Sequence, residues 1–96
     1  MYDKYTDISI YLSYKRIMRK IIKFEKSDCN PCTMVSELLD KTGIQYEKVN
    51  PFDDPEKAVK HRVRTVPTVI LLENEEEIKR TIGFNPEELK EIVEML

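Results

Sequence analysis

Tryptophan is absent from this 96-residue chain, glycine and cysteine occur twice each, and His61 is the only histidine. A structural zinc site draws on about four Cys or His ligands. Two cysteines and one histidine fall short of that set, so no metal centre is expected. No apolar run approaches the ~18 residues that suggest a membrane-spanning helix. The longest, Val69-Ile70-Leu71-Leu72, suits a buried strand. A basic excess is missing too: the formal net charge is −2, which argues against a binder of duplex nucleic acid. Residues 1–20 carry five Lys/Arg against two Asp, and the last 22 residues carry seven Glu against three Lys/Arg. Neither end is a long single-sign block, so solvated faces are expected in preference to interaction tails. Met1-Tyr2-Asp3-Lys4-Tyr5 lacks the apolar stretch of a secretory signal. The expected compartment is therefore the cytoplasm, where disulfides are usually transient and catalytic. A chain of this length has room for one core.

What is present is well punctuated from Lys20 onward. Ile21-Ile22-Lys23-Phe24 reads as a short buried strand. Ser27, Asp28, Cys29 and Asn30 supply turn and cap chemistry, and Pro31 suits a first helical turn. Met34, Val35, Leu38 and Leu39 mark one helix face, with Gly43 placed to end it. Ile44 to Val49 alternates as a half-buried strand. Asp53-Asp54-Pro55-Glu56 opens a short helix running to about His61. Thr68 to Leu72 reads as a second buried strand, turning at Asn74-Glu75 into the alternating strand Glu77–Ile82. Asn85-Pro86-Glu87-Glu88 is a cap, a first-turn proline and an acid at N3, opening a final helix with Leu89, Ile92, Val93 and Leu96 on its apolar face.

The order β-α-β-α-β-β-α predicts an α/β fold. Helices between the first strands imply parallel pairing, and the tight turn at Asn74 implies an antiparallel pair. The result is a four-stranded mixed sheet with helices on both faces. Residues 1–20 read as an N-terminal extension, a helix or extended arm, and 21–96 as the domain. The N-terminal tyrosines are expected to pack on the sheet rather than to stack on single-stranded nucleic acid.

The two cysteines form a C-x-x-C pair, Cys29-Asn30-Pro31-Cys32, at a strand-to-helix junction. A purely structural disulfide there closes a very short loop and adds little by chain entropy. A redox role has a physical basis. Unpaired N–H groups and the dipole at a helix start favour a thiolate on the first cysteine. The second, a turn further on and more buried, is placed to attack a mixed disulfide. His61 is expected to be a half-exposed residue near a helix end, and Arg62 and Arg64 to be solvated.

Here the sequence resembles the thioredoxin/glutaredoxin superfamily from Ile21 to Leu96. Three features carry the resemblance: Cys29-Asn30-Pro31-Cys32 after a strand, Thr65-Val66-Pro67-Thr68 before the third strand, and Ile82-Gly83 before the last helix. It implies a thioredoxin-like fold and a thiol–disulfide oxidoreductase that reduces protein disulfides with no cofactor beyond its own Cys29–Cys32 pair. Cys29 would be the attacking thiol and Cys32 the resolving thiol, with Asn30 and Pro31 in support. A cis peptide would precede Pro67, and substrate would pair with the backbone at Val66 and approach over Gly83. The resemblance further implies a monomer, a disulfide-containing protein partner and a recycling enzyme of the thioredoxin-reductase type, with no nucleic-acid or membrane partner.

Several departures bear on those expectations. Thioredoxins place a buried Asp, as a proton-transfer aid, six residues before the first cysteine; this chain has Lys23, leaving Glu25 or Glu47 as substitutes. Asp28 disfavours a Cys29 thiolate by like charge, while Lys26 and Arg64 favour it. Thr65-Val66-Pro67 and Ile82–Glu87 look more like glutaredoxin-type redoxins, particularly those serving ribonucleotide reductase. The Gly-Gly pair of glutathione-using glutaredoxins is replaced by Gly83-Phe84, and the Tyr usual inside their C-x-x-C is missing. Protein disulfides are therefore expected before glutathione. Two alternatives stay open: a non-catalytic redoxin-fold adaptor or redox sensor, and a glutathione-coupled glutaredoxin.

Overall fold

The computed structural model describes residues 18–96; the expected N-terminal arm, residues 1–17, lies outside them. Four strands and three helices follow in the expected order: β1 (Arg19–Phe24), α1 (Asn30–Thr42), β2 (Glu47–Val49), α2 (Pro55–Lys60), β3 (Thr68–Glu73), β4 (Glu76–Ile82) and α3 (Pro86–Met95). The sheet order is β2-β1-β3-β4. β1 and β2 run parallel, and the other two pairings are antiparallel. Strand β1 opens at Arg19, two residues before the strand read from the sequence.

Both faces of the sheet are covered, which is why its central strands are near-continuous apolar runs and not alternating ones. Ile21, Val69 and Leu71 join Val35 and Leu39 of α1 and Leu89 and Ile92 of α3 in one core. Ile22, Phe24, Ile70 and Leu72 turn the other way and pack with Val49 and with Ala58 of α2. Alternation along β1 therefore aims Lys23 at the α1–α3 side.

Helix ends follow the punctuation. Gly43 adopts φ 75° and its N–H donates to the Asp40 carbonyl, closing α1. The two-residue turn between β3 and β4 has positive φ at Asn74 (51°) and Glu75 (75°). That twist matches the strands of a tight hairpin.

Two expectations shift. Strand β2 is confined to Glu47–Val49, because Ile44 and Tyr46 pack instead against the α1–α3 core. In β4 the alternation marks the strand, but its buried side is the polar one. Thr81 is buried beneath α3 and its hydroxyl donates to Glu88 Oε1 at 2.7 Å, while Ile78 and Ile82 are exposed. On the opposite face, Ala58 of the short α2 packs against the central strands. Glu88 thus answers Thr81, while its own N–H is capped by Asn85 Oδ1 at 3.1 Å.

Candidate active site

The end of β1 leads through Glu25–Ser27 into a sharp turn at Asp28, which holds φ 52°. A non-glycine residue there is uncommon, although Asp tolerates it better than most. The turn delivers Cys29 in extended backbone as the N-cap of α1, with Pro31 in the first turn. Cys29 Sγ accepts from the Cys32 N–H at 3.2 Å, so a sulfur stands where Ser or Asp normally caps a helix. The cysteines are joined as a disulfide with their Cα atoms 5.2 Å apart. Cys29 is half-exposed, Cys32 is only 3% exposed, and Asn30 and Pro31 face solvent. One sulfur is thus open to a partner while the other is shielded, and the Cys32 N–H, one of the orphan donors of the helix start, points at the open one.

The other site segments meet at the same end of the sheet. Phe24, Thr68 and Ile82 lie in register across β1, β3 and β4. The segments continuing from them are the Cys29 loop, Pro67 and Gly83. The Val66–Pro67 peptide is cis, as the resemblance implies. Gly83 takes φ 78° and its N–H donates to the Pro67 carbonyl at 2.8 Å, clasping the two segments. A Cβ on Gly83 would meet no atom within 4 Å, so the space over it is open. Among the described residues, no backbone group bonds the N–H or C=O of Val66. Beside it lies a groove of 260 Å³ lined by Lys26, Pro51, Phe52, Val63, Arg64, Thr65 and Val66. Phe52, at its edge, is 82% exposed.

The glutaredoxin family model matches residues 21–78, more than half of the chain. The chain belongs to the glutaredoxin family. Within the thioredoxin/glutaredoxin superfamily, this redoxin is 44% identical over 78 residues to the SPbeta prophage-derived thioredoxin-like protein YosR of Bacillus subtilis (strain 168), covering 80% of its own chain and 98% of that relative. It is 28% identical over 75 residues to a thioredoxin of Staphylococcus epidermidis, covering 72% of each. Fasciola hepatica thioredoxin shares its fold, with a TM-score of 0.75 at 21% identity and coverage of 95% and 93% of the two chains. With its Cys29–Cys32 pair, the redoxin is a thiol–disulfide oxidoreductase. Among the described residues, no group of three or more His, Cys, Asp or Glu is arranged to hold a metal ion, and no helix is long and apolar enough to cross a membrane.

The redoxin's departures from the superfamily pattern resolve into particular contacts. Lys23 is 1% exposed, and its ammonium donates to Glu25 Oε1 and Ser36 Oγ. Of the two acids considered as substitutes for the missing Asp, Glu25 is the one engaged. Glu47 instead pairs with Lys20 at 3.1 Å and Lys57 at 2.5 Å on the outer strand. Hydrogen bonding from Lys57 holds its carboxyl below the usual range. The Tyr46 hydroxyl donates to Asp40 at 2.8 Å, and burial pushes its ionisation up. The His61 ring sits 6.0 Å from that of Phe24, and burial, then Lys60 and Lys57, depress its basicity. His61 is half-exposed, and Arg62 and Arg64 are exposed, as expected. The groove around Phe52 and the inward turn of Lys23 went unread in the sequence. The strand parity of Ile21–Phe24 was the available signal for Lys23.

Proposed function

We propose that this redoxin reduces disulfides in protein partners, with Cys29 as the attacking thiol and Cys32 as the resolving thiol. The observation that carries the reading is the capping geometry: a half-exposed Cys29 sulfur accepts a helix N–H while Cys32 lies shielded one turn behind it. In the reduced chain, the Cys29 thiolate attacks one sulfur of the partner's disulfide, and the other sulfur leaves as a thiolate and takes up a proton. Cys32 then loses its proton and attacks Cys29 Sγ. The mixed disulfide breaks, and the partner's second thiol is released. Two electrons pass to the partner, and a reductase of the thioredoxin-reductase type restores them.

The groove supplies the docking. The Val66 backbone, unpaired among the described residues, offers a donor and an acceptor to an extended strand. The open space over Gly83 admits its chain, and Phe52 offers apolar contact. Asn30 and Pro31, exposed between the cysteines, touch whatever docks there. Ribonucleotide reductase is one target to test, in the cytoplasm, with the redoxin acting as a monomer. Insulin reduction with dithiothreitol provides the assay. Acceleration over dithiothreitol alone is expected. No acceleration would leave an adaptor or sensor as the better reading.

A further inference from the structure

The α1–α3 side of the sheet is apolar apart from Thr81, which bonds Glu88, and one ion pair whose ammonium is buried. Lys23 supplies it, and nothing in the disulfide exchange described above uses this charge. Its ammonium is held by the Glu25 carboxylate and by Ser36 Oγ. Ser36 stands one helical turn beyond Cys32, and residues four apart on a helix have Cβ atoms about 6 Å apart. Helical side chains lean toward the N-terminus, so the Ser36 hydroxyl, with the ammonium on it, is tilted toward Cys32. Cys32 and Ser36 share the inward side of α1 with the buried Val35 and Leu39. The other side chains in that core, Val69 and Leu71 of β3 and Leu89 and Ile92 of α3, carry no charge. Among the described residues, the Tyr46 hydroxyl and the Asp40 carboxylate to which it donates also lie near the pair, and burial pushes the Tyr46 ionisation up.

We infer that Lys23 is a positioning residue for the resolving step, its buried ammonium favouring the thiolate of Cys32. The inference rests on Cys32 being the resolving thiol. A nearby cation stabilises a thiolate, and does so more strongly where water is excluded. The proton leaves Cys32 to solvent, and the electron pair left on its sulfur forms the bond to Cys29 Sγ as the bond from Cys29 to the partner breaks. Ser36 and Glu25 hold the ammonium in place.

The test titrates Cys32 directly in the reduced full-length chain, with no partner present, so it does not depend on which proteins are reduced. Cysteine labelled with carbon-13 at Cβ reports each thiol separately by NMR. Lys23→Met should raise the Cys32 midpoint by roughly one unit, and Lys23→Arg should leave it within a few tenths of a unit. At pH 7, collapse of a preformed mixed disulfide on Cys29 should slow roughly threefold in Lys23→Met and recover as the pH is raised, because the tenfold loss of thiolate per unit is offset about threefold by the greater nucleophilicity of the more basic thiolate. Should Lys23→Met not fold, Lys23→Gln retains a hydrogen-bond donor without the charge and repeats the measurement. Glu25→Gln added to Lys23→Arg removes only the anion and should lower the midpoint. An unmoved Cys32 midpoint in the neutral variant that folds, or in the Glu25→Gln pair, overturns the inference. So does an equal shift in Lys23→Met and Lys23→Arg, which would mark a packing effect.

Discussion

At the scale of single residues, the two sulfurs differ more in surroundings than in sequence. Cys29 Sγ takes a helix N–H and meets solvent, while Cys32 is 3% exposed. Cys29→Ser should abolish insulin reduction, because a hydroxyl is not ionised at neutral pH. Cys32→Ser should keep the first attack but strand the target as a mixed disulfide, seen as a shifted band on a non-reducing gel. Turnover retained by Cys29→Ser would reverse the assignment. Asp28 sets a carboxylate next to that sulfur, in a backbone conformation with φ 52°. Asp28→Asn keeps a residue that tolerates this conformation and removes the charge. The Cys29 thiol pKa should then fall by roughly half a unit, read as faster alkylation by iodoacetamide below neutral pH. An unchanged rate profile would show that solvent screens Asp28 from the sulfur.

At the scale of elements, turns and caps were legible because they are local chemistry. Asn74, Gly43 and Asn85 each do what their residue types favour. The parts that were not legible depend on which neighbour covers which face. Alternation in β4 marks a strand but does not tell that α3 will engage Lys79 and Thr81 and leave Ile82 in solvent. Nor do Ile44 and Tyr46 announce that a helix, not a strand, is their partner. The hairpin turn also keeps a removable strain, since Glu75 holds φ 75° where glycine fits without cost. Glu75→Gly should stabilise the fold by about 0.5 kcal/mol, part of the relief being offset by the greater freedom of the unfolded chain. A higher urea midpoint at unchanged slope is the expected readout. His61, at the end of α2, carries a pH signature. Burial depresses its pKa from the ordinary 6.5. Just below that value the unfolded chain takes up a proton that the folded chain resists, so this contribution to stability is full above about pH 6.5 and is lost as the pH falls through the folded value. His61→Gln should flatten the stability profile in that window, and an unaltered slope would mean that the ring titrates as in water.

At the scale of the whole molecule, the three site segments were legible separately in the sequence, and the register of β1, β3 and β4 explains why they meet. Their relation to residues 1–17 rests on a different consideration. The 98% of the YosR relative that aligns does so over 78 residues, and the seven elements of the fold fall within 19–95. We propose that the upstream stretch is an extension of the domain. A chain beginning at Met18 should therefore fold and reduce insulin, whereas an insoluble or molten product would assign core packing to the missing segment. The recycling partner is the broader question, because the matching family model is glutaredoxin while several named relatives are thioredoxins. The residues lean toward the second. Gly83 is followed by Phe84, which packs against the α1–α3 core, where glutathione-using relatives carry a second glycine. Asn30-Pro31 separates the cysteines with no tyrosine between them. The groove at Val66, with exposed Phe52 beside it, suits an extended polypeptide more than a tripeptide thiol. In coupled assays following NADPH, thioredoxin reductase should sustain turnover on a protein disulfide, while glutathione with glutathione reductase should be at least roughly tenfold slower, the equivalent of about 1.4 kcal/mol. Replacing Phe84 with Gly should narrow that gap if the missing glycine is what weakens glutathione binding. Equal or faster turnover with glutathione in the unaltered chain would assign it to the glutathione-coupled branch and leave the groove to be explained by something other than recycling preference.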